Sequence, residues 1–143
     1  MKHENLKQNA LWDALEDLKR LQDLLANSWS KYYGHYFTKL VGSDTIPCFL
    51  TTTECTLLRL HDLKSNLETS YFRLEEIEKS QQRITLSLLR AFDFEDNETN
   101  STKDIARLEK TDVKVTVDLS SILAVQVLNP VLVGHNFYIE SKW

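Results

Sequence analysis

Glycine and proline are scarce in this sequence, with three Gly and two Pro among 143 residues. These residue types are typical of turns and flexible linkers, so long flexible linkers are excluded. No Gly or Pro occurs between Pro47 and Pro130. The middle of the chain therefore lacks the residues that most often interrupt a helix.

Cysteine and long apolar runs are also scarce. Two cysteines, Cys48 and Cys55, are too few for a disulfide framework. The N-terminal residues are polar and lack the apolar core of a signal peptide, and no run of about 18 apolar residues could form a membrane span. We therefore predict an intracellular protein, cytoplasmic or nuclear, that does not contact a membrane.

The chain has no excess of positive charge, because its formal net charge is −4. General nucleic-acid binders usually carry a basic excess, so we expect no direct contact with nucleic acid. Apolar residues make up 42% of the chain, close to the usual value for globular domains. A hydrophobic core is therefore expected.

Catalytic motifs are missing as well. No nucleophile-elbow motif occurs, and three glycines cannot build a standard phosphate-binding loop. Cys48 and Cys55 have six residues between them, which does not match the tight pairs of zinc sites. The acidic residues Glu75, Glu76 and Glu78 are typical of a solvated helix face. We predict that the protein is not an enzyme and holds no metal or other cofactor.

Two segments carry apolar residues at helical spacing. In residues 4–40, Leu11, Leu18 and Leu25 lie seven apart, with Ala14 and Leu21 at the complementary heptad positions. This pattern predicts a first long helix. It continues to about residue 40 if the aromatic residues after Asn27 are helical too.

Residues 52–92 carry the second and longer heptad pattern, with eight of ten core positions apolar. A capping-box sequence, Thr51 with Glu54 three residues later, precedes it. One helix over this segment would be about 60 Å long, whereas a compact domain of this size is roughly 30 Å across. Part of the predicted helix must therefore protrude or be covered by another chain.

The pattern changes after Phe92. An acidic loop is followed by a short predicted helix over residues 104–110. Val113, Val115 and Val117 then alternate with polar residues, as in a half-buried strand. Residues 121–128 fit a strand or a short helix, and their valine content favours a strand. Further strands are predicted at 131–133 and 137–139.

These elements predict an α+β fold. Two long helices, paired as a hairpin or coiled coil, precede a small C-terminal antiparallel β unit. The predicted regions are a helical region at 1–92, an acidic loop and short helix at 93–110, and the β unit at 111–143.

Two groups of residues are candidates for a partner interface. The first is the aromatic cluster of Trp29, Tyr33, Tyr36 and Phe37, since Trp and Tyr concentrate binding energy. Packing against the second helix, or stacking on single-stranded nucleic acid, are alternative interpretations of this cluster. The second group is the apolar stripe of the long predicted helix: Leu67, Leu74, Ile77, Ile84 and Leu88.

The absence of catalytic motifs and the long predicted helix favour a structural or adaptor subunit of a multiprotein complex. It would bind protein partners, as a homo-oligomer or hetero-oligomer, through its amphipathic helices. The first alternative is a self-contained peptide-binding module that uses the edge of its C-terminal sheet for strand addition. The second is a nucleic-acid-associated subunit. The sequence does not identify the partner.

Overall fold

The fold is known from a computed structural model, which describes residues 2–24, 45–128 and 138–140. Helix α1 spans Lys2–Leu24. Eight strands follow, β1 to β8 in chain order: Cys48–Thr52, Leu60–Asp62, Leu67–Thr69, Phe72–Glu78, Arg83–Phe92, Arg107–Asp118, Ile122–Val127 and Tyr138–Glu140. The prediction of two long helices followed by a small sheet is therefore wrong. The protein has a β-rich fold with one helix in its described part.

The second predicted helix, residues 52–92, consists of strands instead. The capping-box sequence leads into a turn after β1, in which the Cys55 N–H donates to the Thr52 carbonyl at 2.9 Å. In β5, Ile84, Leu86 and Leu88 are fully buried and alternate with Arg83, Thr85 and Ser87. This is the two-residue period of a strand. The coiled-coil and helical-hairpin interpretations are corrected accordingly.

The turns that divide this segment use no glycine. Cys55, Asn66 and Gln82 within the segment take φ values of 63°, 51° and 52°, and Asp96, just after it, takes a φ value of 63°. These values lie in the left-handed region, where glycine is the usual residue. Gln82 closes the β4–β5 hairpin, and its N–H donates to the Lys79 carbonyl at 3.2 Å. At these four described positions the chain takes the left-handed conformation without glycine.

Six strands form one sheet in the order β7-β1-β4-β5-β6-β8, and β2 and β3 form a separate hairpin. All pairs in the large sheet are antiparallel except β6 with β8, which is parallel. The β4–β5 hairpin pairs Phe72 with Leu88 and Ile77 with Ile84. The sheet takes strands from both the N-terminal and C-terminal halves of the chain. The predicted division at 92/93 and 110/111 into separate regions stays a prediction.

The C-terminal part of the structure agrees better with the elements predicted from the sequence. The predicted strand at Val113 lies within β6, and residues 122–127 form β7, so the strand interpretation is confirmed there. The helix predicted at 104–110 is wrong, because β6 begins at Arg107. The strand predicted at 131–133 lies outside the described residues.

Helix α1 covers one face of the sheet, here called the helix-backed face. Leu11, Trp12, Leu15 and Leu18 of α1 belong to one buried cluster with Phe72, Leu74, Leu86 and Leu88 of β4 and β5. Gln22 is fully buried and fastens the end of the helix: its Nε2 donates to the Leu74 carbonyl at 2.7 Å, and its Oε1 accepts from the Ile46 N–H at 3.2 Å.

The opposite face, here called the open face, has its own smaller apolar cluster. Leu89 and Ala91 of β5 pack there with Tyr71, Ile105, Leu108 and Leu128. Leu88 belongs to the helix-backed cluster and Leu89 to this one, as expected for consecutive residues of a strand. Phe49 and Ile139 also pack against this cluster, whereas the part of the open face around Arg73, Glu75 and Ser87 is polar.

Candidate functional site

Strand β7 lies at one edge of the sheet and is an accessible surface for another strand. Among the described residues, its only strand neighbour is β1. The sequence of β7, Ile122–Val127, contains no charged residue and no proline. Proteins commonly protect an edge strand with such residues to prevent pairing with other chains. The β7 edge lacks that protection.

The hydrogen-bond pattern shows which backbone groups of β7 face away from the sheet. The Leu128 N–H donates to the Pro47 carbonyl of the segment before β1 at 2.8 Å. Backbone groups of an antiparallel strand point alternately towards its two neighbours. The N–H groups of Val125 and Val127 therefore point away from β1, towards the free side.

Two apolar side chains of β7 are exposed next to these outward-pointing N–H groups. Leu123 is 40% exposed and Val127 is 44% exposed. An uncharged strand with exposed aliphatic side chains and outward backbone groups is suited to β-augmentation, in which another chain adds a strand.

A second feature is a polar pocket of about 440 Å³ on the open face. Its lining residues come from β4, β5 and β6: Arg73, Glu75, Ser87, Lys110, Thr111, Asp112 and Lys114. Arg73, Ser87 and Lys114 are register partners across these three strands, so they share one face of the sheet. We call this site the bulge pocket.

Two β-bulges shape the bulge pocket. The register of β4 against β5 shifts between Leu74 and Glu76, so Glu75 is the extra residue. The register of β5 against β6 shifts opposite residues 111–113, because Ser87 pairs with Lys114 while Leu89 pairs with Lys110. Bulges bend strands and redirect side chains, and they are frequent beside functional sites. Here both bulged segments contribute lining residues.

An ion pair organises the β4 side of the bulge pocket. Glu75 Oε2 lies 2.5 Å from Arg73 Nη1, and the Ser87 hydroxyl donates to Glu75 Oε1 at 2.5 Å. Burial alone raises the pKa of the Glu75 carboxyl. The hydrogen bonds from Ser87 and Arg73 and the charges of Arg73 and Lys114 outweigh burial, so its pKa lies below the ordinary value. Glu75 is therefore ionised at neutral pH.

On the β6 side, Thr111 stabilises the bulge. Its hydroxyl donates to the Leu88 carbonyl at 2.6 Å and accepts from the Val113 N–H at 3.3 Å. Lys110 is only 5% exposed, whereas Asp112 and Lys114 are exposed. The pocket thus has cationic groups on both of its walls.

The cysteines do not form a reactive centre. Cys48 is buried in β1, and burial raises the pKa of its thiol to about 12. Cys55 is exposed in the turn after β1. Within residues 2–24, 45–128 and 138–140, no group of three or more His, Cys, Asp and Glu is placed to hold a metal ion.

The residues predicted for a partner interface fall into two groups. Trp29, Tyr33, Tyr36 and Phe37 lie outside the described residues. The structure does bring together the apolar stripe, but in this chain's own core: Leu67, Leu74, Ile84 and Leu88 are at most 1% exposed, and the partly buried Ile77 packs against them. Their role in partner binding stays a prediction.

The bulge pocket was not predicted from the sequence. The prediction of a solvated helix face for Glu75, Glu76 and Glu78 is wrong, because all three lie in strand β4 and Glu75 lines the pocket. A usable signal was present in β6, where Lys110, Asp112 and Lys114 occupy every second position. This alternation indicates one polar face, but it does not reveal that β4 supplies the facing wall.

The described residues form a β-rich protein whose sheet is backed by one helix and whose edge strand β7 carries no charged residue and no proline. The chain is similar to spore coat protein Z of Bacillus subtilis (strain 168), with 33% identity over 108 residues, which cover 66% of this chain and 70% of the relative. The chain therefore belongs to the spore coat protein Z family. No family sequence profile matches the chain, and no solved structure matches it. In the described part of the chain, no helix is long and apolar enough to span a membrane.

Proposed function

We propose that this protein is a non-enzymatic structural subunit of a spore coat. The observation that carries the proposal is the similarity to spore coat protein Z, which extends over 70% of that protein. The proposed location replaces the cytoplasm or nucleus predicted from the sequence. The predicted structural role is retained, but its support is different, because residues 52–92 do not form the rod on which that prediction depended.

We assign the partner contact to the β7 edge. A coat subunit must bind other proteins, and the outward N–H groups of Val125 and Val127 are suited to pair with an extended segment of a neighbouring chain. The exposed Leu123 and Val127 side chains add apolar contact area. This proposal adopts the strand-addition alternative predicted from the sequence and names β7 as the strand that the partner would pair with.

Substitution of Val127 tests the proposal. Val127→Pro removes one outward N–H while leaving the hydrogen bonds to β1 in place, since proline is tolerated at sheet edges. Val127→Thr is the matched control, because it keeps the N–H and the β-branched shape. Each variant is expressed with a tag in sporulating Bacillus subtilis, and its amount in the purified coat fraction is compared with its total amount.

We expect wild type and Val127→Thr in the coat fraction, and a several-fold loss of Val127→Pro from it. Circular dichroism of the purified variants checks that both are folded. If wild type stays out of the coat fraction, the coat assignment is wrong. If Val127→Pro is folded and enters the coat as wild type does, the coat assignment holds but the β7 edge is not the contact.

A further inference from the structure

We propose that the strand that pairs with the β7 edge is β7 of a second copy of this chain, antiparallel about a two-fold axis between the two copies of Gln126. This inference rests on the proposed function, since it names the partner for the edge to which the coat contact is assigned. A two-fold interface requires one surface that is complementary to itself. The backbone, the side chains and the charge of β7 meet this requirement.

The regular part of the β7 edge begins after a bulge. The register of β1 against β7 shifts between Thr51 and Thr52, which leaves Leu123 as an extra residue of β7. A bulge locally disrupts the hydrogen-bond ladder. Residues 124–128 are therefore the regular template for an added strand.

The outward backbone groups fix one symmetric register. The outward residues of the regular edge are Val125 and Val127. When Val125 of one copy lies opposite Val127 of the other, each such pair exchanges both of its N–H···O bonds. The two-fold axis makes this pair occur twice and places Gln126 opposite its own copy. No other symmetric register pairs both valines within residues 124–128.

The side chains agree with this register. The partners of Val125 and Val127 in β1 are Leu50 and Cys48, which belong to the helix-backed cluster. Both valines therefore lie on that face, and Val127 is 44% exposed. Opposed β-branched side chains stabilise a strand pair. On the open face Gln126 is exposed, and a carboxamide both donates and accepts, so two opposed glutamines can hydrogen-bond each other.

Charge favours a second copy over a charged partner. The formal net charge of −4 makes two copies repel each other in general. However, residues 45–53 around β1 and residues 119–128 around β7 include no charged residue, although charged residues make up 27% of the chain. Two copies can therefore approach along this edge without an encounter of like charges. The same neutrality gives a basic or an acidic partner no electrostatic advantage.

Sedimentation equilibrium of the purified full chain, from about 1 to 500 μM, tests this proposal in the affinity range of small interfaces. We expect a reversible monomer–dimer equilibrium for wild type. Gln126→Glu and Gln126→Lys each place like charges opposite each other at the axis. Each is expected to raise the Kd of the dimer by about tenfold.

An equal mixture of Gln126→Glu and Gln126→Lys is expected to restore the dimer, because opposite charges then meet at the axis. Recovery in the mixture also shows that both variants are folded. Thr116→Glu is the matched control, since it adds the same charge at an exposed position of β6, away from the β7 edge. It should dimerise as wild type does.

The proposal is overturned if wild type is monomeric over the whole concentration range. It is also overturned if Gln126→Glu dimerises as wild type does, or if the mixture does not recover the dimer. These results leave the coat assignment intact, because that depends on the coat fraction. Conversely, a dimer with the expected behaviour supports this proposal even if wild type is absent from the coat fraction, in which case only the proposed function fails.

Discussion

On the helix-backed face, Phe72, Leu74 and Leu86 have no exposed surface, whereas the open face of the same strands carries Arg73 and Glu75 at the rim of a pocket. The two faces differ in what they require of the sequence. A closed apolar face depends on shape and volume, since buried side chains must fill space without voids. The polar part of the open face depends on charge and on strand irregularity, unlike the buried cluster of Leu89, Ile105 and Leu108 on the same face. Stability is therefore expected to lie mainly on one face and binding chemistry on the other.

The largest expected effect comes from a cavity in the helix-backed face. Leu86→Ala removes a fully buried side chain from β5 and should lower the free energy of unfolding by about 3 kcal/mol. The adjacent open-face substitution Thr85→Val should change it by less than about 0.5 kcal/mol. Urea unfolding of both variants measures the difference. Similar losses for the two would show that the faces do not differ in this way.

A somewhat smaller effect is expected where α1 meets the sheet. Gln22→Leu leaves the buried Leu74 carbonyl and the Ile46 N–H without their side-chain partner, at a cost of about 2 kcal/mol. Leu21→Ala is the control on the same helix, because Leu21 is 55% exposed. Thermal unfolding followed by circular dichroism separates the two variants. An equal effect of both would mean that Gln22 does not anchor the helix.

The helix-backed face also explains why a heptad pattern was found in a hairpin. Ile77 and Ile84 lie seven residues apart, yet they are register partners in β4 and β5. Leu74 and Leu88 lie fourteen apart, on opposite sides of the same turn. The sequence separation of register partners grows with distance from the turn, and at Ile77 and Ile84 it equals two helical turns. A helix and a hairpin both bury these residues, so burial alone did not distinguish them.

Turn chemistry was the missing signal. Gln82 closes the hairpin in the left-handed conformation without the glycine or asparagine that usually marks such a position. The bulges at Glu75 and at residues 111–113 then interrupt the two-residue alternation. By contrast, α1 and the part of β6 from Val113 onward have uninterrupted periods, and their types were predicted correctly. The bulge pocket could not be predicted, because it depends on the two irregularities and on a pairing that the sequence does not state.

On the open face, the lowered pKa of Glu75 predicts a pH-dependent contribution to the free energy of unfolding. We expect it to be smaller than the effects of Leu86→Ala and Gln22→Leu. The pKa of Glu75 is lower in the folded protein than the ordinary value of 4.5. The folded state therefore binds this proton less well than the unfolded state does. The resulting stabilisation is complete above about pH 4.5 and is lost as the pH falls through the lower folded pKa.

Glu75→Gln isolates this contribution from that of Asp62 and Asp118, whose pKa values are also lowered by hydrogen bonds from Ser65 and Ser120. The free energies of unfolding of wild type and Glu75→Gln should differ more at neutral pH than at about pH 3. Urea titrations at both pH values measure the two differences. A difference that does not change with pH would mean that the charge of Glu75 adds no stability.

The smallest expected effect tests whether Thr85 and Thr116, in the polar part of the open face, are accessible to solvent. Thr85 and Thr116 are register partners on β5 and β6, so Thr85→Val and Thr116→Val form a double-mutant cycle across the strands. Valine has the shape and strand preference of threonine, and the cross-strand coupling should be about 0.2–1 kcal/mol in favour of the valine pair. Urea unfolding of the two single variants and the double variant gives the coupling. If the double variant were instead destabilised by more than about 1 kcal/mol, the two hydroxyl groups must have buried partners, and this part of the open face would be a second closed interior.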